Sequence, residues 1–310
     1  MKYRFKHIAE YAVLRSIAAL VRVLPYRAAL FVGWLNAWLF FHVFHFRVKK
    51  AVSRINEVFG DRFTRREMKN IAWLSWRNIV FSGIEMIRLD KITLNWINSI
   101  SDYQHFMDVL TKHSKTGKGG IIAVPHMGSW ELAAVGCHLY KIPIFTIAAR
   151  QKNPLTNRYM NELRRSPGID TLARGSGTMK EVLRKLRKGG MLAILPDVRM
   201  RTEGLSVPFL GAKANVGKGM ASFAKHTGTP IFPCIITRIG WARHKMEIHD
   251  PIWPDENLNK KDDINRMTHS VLKIFDETIQ KDPDQWFWYN SRWILDPLKE
   301  KSGASSQNSE

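Results

Sequence analysis

Ile121-Ile-Ala-Val-Pro-His-Met-Gly-Ser-Trp-Glu131 is the stretch on which the reading of this chain turns. The apolar run Ile121 to Val124 reads as a buried strand. It stops at Pro125, and His126 follows at once. Gly128 and Ser129 make a loop of small residues, and Glu131 opens an apolar, helical-looking run, Leu132 to Leu139. A base and a carboxylate therefore meet at a strand-to-helix turn, where α/β proteins commonly keep their chemistry. On one continuous helix, residues five apart would sit roughly 140° apart around the axis. With the histidine on the loop and the glutamate in the first helical turn, the two can touch. An imidazole held by a carboxylate is the arrangement for taking a proton from a hydroxyl. The chain holds 11 histidines, so the spacing alone carries little. The setting carries it.

Outward from this turn, the pattern from about residue 118 onward is α/β. Ile142 to Ala149, Met191 to Pro196, Ile231 to Thr237 and Lys245 to His249 read as further strands. Helices are expected over Thr178 to Lys188, closed by Gly189-Gly190, over Gly217 to His226, and over Asp262 to Gln280. The expected fold class is α/β, a mixed, mostly parallel central sheet flanked by helices. Polar residues follow several of the strands: Arg150 after the second, Asp197 after the third, with Arg164 and Arg174 between them. In a mostly parallel sheet these converge on one crevice beside the His/Glu turn. A solvated basic face is the ordinary fate of such arginines, and a turn cap that of such an aspartate.

The 310 residues suffice for a sizeable core, and 45% hydrophobic content excludes a disordered chain. Cys137 and Cys234 sit in apolar contexts and form neither a disulfide framework nor a zinc pattern. No metal and no organic cofactor is expected. The net charge of +21 points to an anionic partner. Nucleic acid, an anionic membrane and a phosphorylated or acidic substrate all qualify. Paired Cys/His fingers, RRM-type aromatic motifs and basic zippers are missing from the sequence, so nucleic acid is not the expected partner.

Before residue 118 the chain reads as helical. Residues 1–27 alternate basic and apolar, as an amphipathic helix at an anionic surface would, with a break at Pro25. Residues 28–46 carry no formal charge over 19 positions, roughly the length that crosses a bilayer. Asn36, His42 and His45 interrupt them, so spanning the membrane and lying in its interface both stay open. Trp34, Trp38, Trp73, Trp76 and Trp96 lie in the first 100 residues, several beside arginines, in the manner of interfacial anchors. Positive charge on both sides of the apolar segment gives no orientation. The expected organisation is a membrane-anchoring helical segment over 1–50, a helical layer over 51–117, an α/β catalytic domain over 118–300 and a disordered tail over 301–310.

Several blocks, in order, make a more specific pattern. They are His126-Met-Gly-Ser-Trp-Glu131, Arg150 with Asn153-Pro154, Gly190 to Asp197, Val207-Pro-Phe-Leu-Gly211, Gly228-Thr-Pro-Ile-Phe-Pro233 and Gln285-Trp-Phe-Trp-Tyr-Asn-Ser-Arg-Trp293. By these the chain resembles the lipid A late acyltransferases, the lauroyl/myristoyl transferases of lipopolysaccharide assembly, from its N-terminal segment to Trp293. It departs from the family pattern at Asp197-Val198, where Asp-Gln is frequent, and at Asn290-Ser291, where His-Arg-like residues are common. The resemblance implies a glycerolipid-acyltransferase-like fold at the inner membrane, with the active site on the cytoplasmic side. It implies transfer of an acyl chain from acyl carrier protein or acyl-CoA to a hydroxyl of a lipid A precursor. On this reading His126 is the general base, Glu131 orients it, Arg150 stabilises the oxyanion or grips an anionic group, and Arg164, Arg174 and Asp197 bind the acceptor. Rival readings are another acceptor lipid, such as a phosphatidylinositol mannoside, a glycerophosphate or an aminolipid, a binding module without catalysis, and a hydrolase using Ser129. The last lacks the Gly-x-Ser-x-Gly elbow.

Overall fold

The computed structural model describes residues 3–148 and 151–296. Arg150 and the tail at 301–310 lie outside the described residues. Four helices come first: α1 (Phe5–Val23), α2 (Tyr26–Trp38), α3 (Val48–Phe59) and α4 (Arg65–Ile87). A π-helical turn, Leu39–Val43, extends α2. Thr64 starts α4 with a reciprocal cap: its hydroxyl accepts from the Glu67 amide, and the Glu67 carboxylate accepts from the Thr64 amide.

The α/β part follows as α5 (Leu94–Ile100), β1 (Ser101–Asp102), α6 (Gln104–Ser114), β2 (Gly120–Ala123), α7 (Trp130–Leu139), β3 (Ile144–Ala148), α8 (Pro154–Arg165) and β4 (Asp170–Ala173). Then come α9 (Thr178–Arg187), β5 (Met191–Ile194), β6 (Leu205–Phe209), β7 (Ala212–Val216), α10 (Gly219–Thr227), β8 (Ile231–Arg238), β9 (His244–Ile248) and α11 (Lys260–Lys281). Seven strands form one sheet in the order β1-β9-β8-β2-β5-β3-β4. Every pairing in it is parallel except β8 with β9. The sheet is thus mixed and mostly parallel, as expected. The hairpin β6–β7 stands apart from it.

Because side chains alternate across a sheet, each central strand feeds two cores. Ile121, Ala123, Phe145, Leu192, Ile231 and Ile235 face a layer built from α9, α10, α11 and the C-terminal tryptophans. Ile122, Val124, Ile144, Met191, Phe232 and Ile236 face α5, α6 and α7. Both faces are covered, and so β2 reads as a continuous apolar run. A third, smaller core joins α1 and α2 to α4 and α8 through Leu30, Phe81, Ile84, Tyr159 and Leu163.

The strands and helices expected after residue 118 are present, and four more appear: α8, β4, β6 and β7. The segment around Arg164 to Arg174 is the end of α8 and the edge strand β4, and the block Val207 to Gly211 is one arm of a hairpin and its turn. In the N-terminal region the apolar stretch 28–46 is not one straight rod. No single helix among the described residues is long and apolar enough to cross a membrane. The pair Tyr26–Val43 and Val48–Arg62 meets that test only together, bent by 84°. Phe31, Leu35, Trp38, Val43 and Phe44 on this bend are exposed, as are Phe5, Val13, Leu20 and Val23 on α1.

One buried polar cluster ties this helical layer to the sheet. The Glu85 carboxylate on α4 accepts from the Arg238 Nη2 of β8 at 2.7 Å and from the Tyr26 hydroxyl of α2 at 2.6 Å, and it meets His244 Nε2 of β9 at 3.1 Å. Burial raises the proton affinity of Glu85. The adjoining Arg238 and His244 outweigh it and hold the carboxyl far below its ordinary range.

Candidate active site

The site grows from the ladder between β2 and β5. Ile121 pairs with Leu192 and Ala123 with Ile194 in parallel register. Continued past the strand ends, the same register sets His126 opposite Asp197. The His126 amide donates to Asp197 Oδ2 at 2.8 Å, and His126 Nδ1 lies 2.7 Å from Asp197 Oδ1. The indole Nε1 of Trp286 donates to the same Oδ2 at 2.8 Å. The Asp197 side chain is wholly buried, whereas 22% of the imidazole side chain remains exposed.

Burial alone would raise the proton affinity of Asp197. The neighbouring His126 and the hydrogen bonds from His126 and Trp286 outweigh it and hold the carboxyl below its ordinary value. Asp197 is therefore an anion, and anions only accept. Nδ1 must carry a proton, so in the neutral form of the imidazole Nε2 is the accepting nitrogen. The ring rests edge-on against Trp130, with centroids 5.3 Å apart.

The loop that carries His126 is fixed from two sides. Gly128 has φ +56°, and a Cβ there would lie 2.3 Å from the Ile236 carbonyl oxygen. Only glycine lets the loop press this close to β8. Ser82 on α4 donates to the Gly128 carbonyl at 2.8 Å. On the other side the C-terminal segment wraps the loop. Met127 bridges Trp286, and the Phe287 amide donates to the His126 carbonyl at 3.0 Å. Trp286, Trp288 and Trp293 pack on one another with centroids 5.0–5.6 Å apart, so the indole that orients Asp197 is itself locked.

Glu131 does not hold the imidazole. Its Oε1 accepts from Arg164 Nε at 2.9 Å and Nη2 at 2.8 Å, and both side chains are mostly buried. No hydrogen bond joins Glu131 to His126 among the described residues. The expected His/Glu contact is corrected to two separate pairs, His126–Asp197 and Glu131–Arg164. The cause is topological. The β2–β5 register brings Asp197 to His126, while α8 delivers its last turn, with Arg164, to the start of α7.

Both pairs open onto one cavity of about 720 Å³. His126, Trp130, Glu131, Arg164 and Arg174 line it. Phe106, Ile122, Val124, Ala133, Ile144 and Ile236 give it an apolar wall. Its solvent-facing end carries Arg174, Gly175, Met179 and Lys218, all exposed or partly so, and Arg292. Asp197 lies behind His126 and not on the wall. Ser129 is fully buried and does not line the cavity, so it is not placed to act as a nucleophile on a bound substrate. No three His, Cys, Asp or Glu side chains among the described residues gather as a metal site.

The sequence reading found His126, Glu131, Arg164, Arg174 and Asp197 but paired them differently, and Arg150 is not described. It missed Trp286 as the partner of Asp197. The signal was present in the Gln285–Trp293 block, whose tryptophans reach the site from far along the chain.

The α/β fold thus sets an oriented histidine at a strand end, facing a cavity that is apolar on one wall and cationic at its opening. Residues 2–294 match the model of the family described as bacterial lipid A biosynthesis acyltransferase, and the chain belongs to that family. It is 26% identical over 207 residues to a phosphatidylinositol mannoside acyltransferase of Mycolicibacterium smegmatis, covering 65% of this chain and 64% of the relative. It is 24% identical over 195 residues to the protein of the same name from Mycobacterium tuberculosis, covering 61% of this chain and 59% of the relative. A lipid A biosynthesis acyltransferase of Haemophilus influenzae is 27% identical over 176 residues, covering 56% of this chain and 52% of the relative. The chain thus spans about half to two thirds of the length of these relatives.

Proposed function

We propose that this chain is an O-acyltransferase that moves a fatty acyl group from a carrier thioester to a hydroxyl of a lipid A precursor. The donor is acyl carrier protein or acyl-CoA, and the reaction takes place on the cytoplasmic side of the inner membrane. The observation that carries this reading is the His126–Asp197 pair opening onto a cavity with one apolar and one cationic region. The acceptor hydroxyl donates to His126 Nε2 and loses its proton to it as the oxygen attacks the thioester carbonyl. Asp197 stabilises the imidazolium that forms. The tetrahedral intermediate collapses, the C–S bond breaks, and the departing sulfur takes the proton back from Nε2. Arg164, held in place by Glu131, faces the developing oxyanion or an anionic group of a substrate. The apolar wall takes the acyl chain. Arg150 keeps its role as a candidate for the oxyanion or an anionic substrate group, and Arg174 its role as an acceptor-binding candidate.

The exposed apolar side chains of α1 and the α2 bend lie among Arg4, Lys6, Arg15, Arg27, Lys49 and Lys50. Such a surface suits an interfacial anchor, with each cation near anionic lipid contributing on the order of 1 kcal/mol.

A mannosylated phosphatidylinositol is the second acceptor reading, favoured by the mycobacterial relatives. Mass spectrometry of lipid A from cells with and without the gene tests the first. A missing secondary acyl chain is expected, and its length and position identify the product. An unchanged lipid A profile together with acyl transfer to a mannosylated phosphatidylinositol in vitro would move the conclusion to the second acceptor.

A further inference from the structure

Helix α4 is polar on an inward face, where helices are ordinarily apolar. Ser75, Asn78, Ser82 and Glu85 follow one another at steps of three and four residues, and none is more than 5% exposed. Buried polar groups need partners, so such a stripe costs stability unless groups outside the helix take it up. Glu85 is spent on Arg238, His244 and Tyr26. The other three are spent on the two segments that surround the His126–Asp197 pair. Ser82 grips the Gly128 carbonyl in the His126 loop. Asn78 Nδ2 donates to the Asp284 carbonyl at 3.4 Å. Ser75 takes the middle of the C-terminal segment. Its Oγ donates to the Trp286 carbonyl at 2.5 Å and accepts from the Trp288 amide at 3.3 Å. A helical serine can instead bond back to its own preceding turn, as Ser82 does with the Asn78 carbonyl. The Ser75 hydroxyl is given to a segment 211 residues further along the chain.

From Ser75 the contacts reach the pair in two steps. The Trp286 backbone is held from behind by Ser75, and its indole Nε1 donates to Asp197 Oδ2 at 2.8 Å. Asp197 Oδ1 then meets His126 Nδ1 at 2.7 Å. The next carbonyls, of Trp288 and Asn290, are held separately by Arg54 Nη1 of α3 at 2.7 and 2.9 Å. Arg54 thus seats the far end of the segment, and Ser75 seats the residue whose indole touches Asp197. Ser75 is not on the cavity wall, so it meets no substrate.

We propose that Ser75 is a positioning residue for the proton transfer: its hydroxyl seats Trp286, and Trp286 holds the Asp197 carboxylate against His126. This role rests on the acyl-transfer reading for the reaction it serves, and on the hydrogen bonds alone for the contact it sets. Without the hydroxyl, the Trp286 carbonyl and Trp288 amide lose a buried partner and the indole loses its fixed aim. Asp197 is then held to the imidazole by one fewer anchor. Substrate contacts are untouched, so kcat falls and KM does not.

Ser75→Ala in the full-length protein in detergent tests this with two measurements. The first needs no substrate. A proton shared between an imidazole N–H and a carboxylate lies in a short, charge-assisted hydrogen bond and resonates at low field. Protein labelled with ¹⁵N-histidine is expected to show such a signal for His126 Nδ1, identified as the one that Asp197→Asn removes. In Ser75→Ala that signal is expected to weaken and move upfield, while the other histidine signals stay. The second is kinetic. Ser75→Ala is expected to lower kcat about tenfold, as loss of one buried hydrogen bond predicts, with KM within about twofold of wild type. Trp286→Phe removes the indole donor and keeps an aromatic ring. In that background Ser75→Ala is expected to lower kcat by less than about twofold, because the step it acts through is already gone.

Thermal unfolding checks that the variants fold. Should Ser75→Ala not fold, Ser75→Cys keeps a weak donor of similar size, and a smaller loss with the same pattern is expected. An unmoved His126 signal, an unchanged kcat, or an undiminished kcat loss in the Trp286→Phe background overturns the role of Ser75. So does a wild type without the low-field signal. A wild type that shows the signal, loses it as expected in Ser75→Ala, and transfers no acyl group to any acceptor would count against the acyl-transfer reading and leave the contact standing.

Discussion

His126 and Asp197 stand three residues beyond Ala123 and Ile194, the last partners of the β2–β5 ladder, so the parallel register itself delivers the carboxylate to the imidazole. The contact owes nothing to sequence proximity. It follows from two buried strands that stop at the same level, each followed by a proline and a short loop. The geometry of the candidate site is thereby tied to the central strands of the sheet.

Removing either partner should be costly and the two losses should not add. His126→Ala and Asp197→Asn are each expected to lower kcat by about 10²–10⁴-fold. Groups that act as a unit lose little more when both are removed, so the double variant should resemble the worse single one. Steady-state kinetics of the purified enzyme measure this. Full activity in Asp197→Asn would show that His126 works without its anion.

The Glu131–Arg164 pair makes a separable prediction. A double-mutant cycle of Glu131→Gln with Arg164→Gln should give a coupling energy of about 0.5–3 kcal/mol in kcat/KM, because the two groups touch. The cycle of Glu131→Gln with Asp197→Asn should give a smaller value. The reverse ranking would restore Glu131 as the residue that orients His126.

The contrast between these pairs shows what the sequence could and could not reveal. The strands β2, β5 and β8 were legible as short apolar runs: β2 and β8 are buried along their whole length, β5 over its first half. Helices α9, α10 and α11 were legible from periodicity and from the glycines that end the first two. Edge strand β4 was not, since its burial alternates and its composition is polar. Hairpin strand β6 was hidden by Pro208, which an edge or isolated strand tolerates. Asp197 was found as a polar strand end, but its partner was not. Which carboxylate meets His126 depends on strand order and register, and which arginine meets Glu131 depends on where α8 packs. Neither is encoded in local spacing.

Stability in acid should depend on Asp197. Its carboxyl is held below the ordinary value in the folded protein, so it contributes stability at pH above its unfolded value of about 3.9. That contribution is lost as pH falls from there through the folded-state value. Urea unfolding between pH 5 and pH 3 should therefore show a steeper decline for the wild type than for Asp197→Asn. Parallel curves would remove Asp197 from the linkage.

Gly128→Ala should damage both fold and function. Its left-handed backbone conformation costs an ordinary residue about 1–3 kcal/mol, and the new Cβ would also collide with the Ile236 carbonyl. Relief requires the loop to move, and His126 moves with it. Denaturant midpoint and kcat should fall together. A variant that loses activity but keeps wild-type stability would indicate that the loop relaxes without strain.

The exposed apolar face of α2 and its bend should govern attachment to lipid. Phe31 and Leu35 are each about half exposed and stand on the same side of the helix, one turn apart. Burying a side chain of this kind against an apolar phase is worth about 1.5–3 kcal/mol. Phe31→Ser/Leu35→Ser should thus weaken partition onto vesicles by roughly ten- to a thousandfold when part of that burial is realised. The basic residues around the bend add a component that salt screens. Flotation with anionic and zwitterionic vesicles, at low and high ionic strength, separates the two contributions. The double variant should keep its salt-sensitive preference for anionic vesicles while losing most of its binding to zwitterionic ones. Wild-type-like flotation of that variant on zwitterionic vesicles would assign attachment to some other surface of the protein.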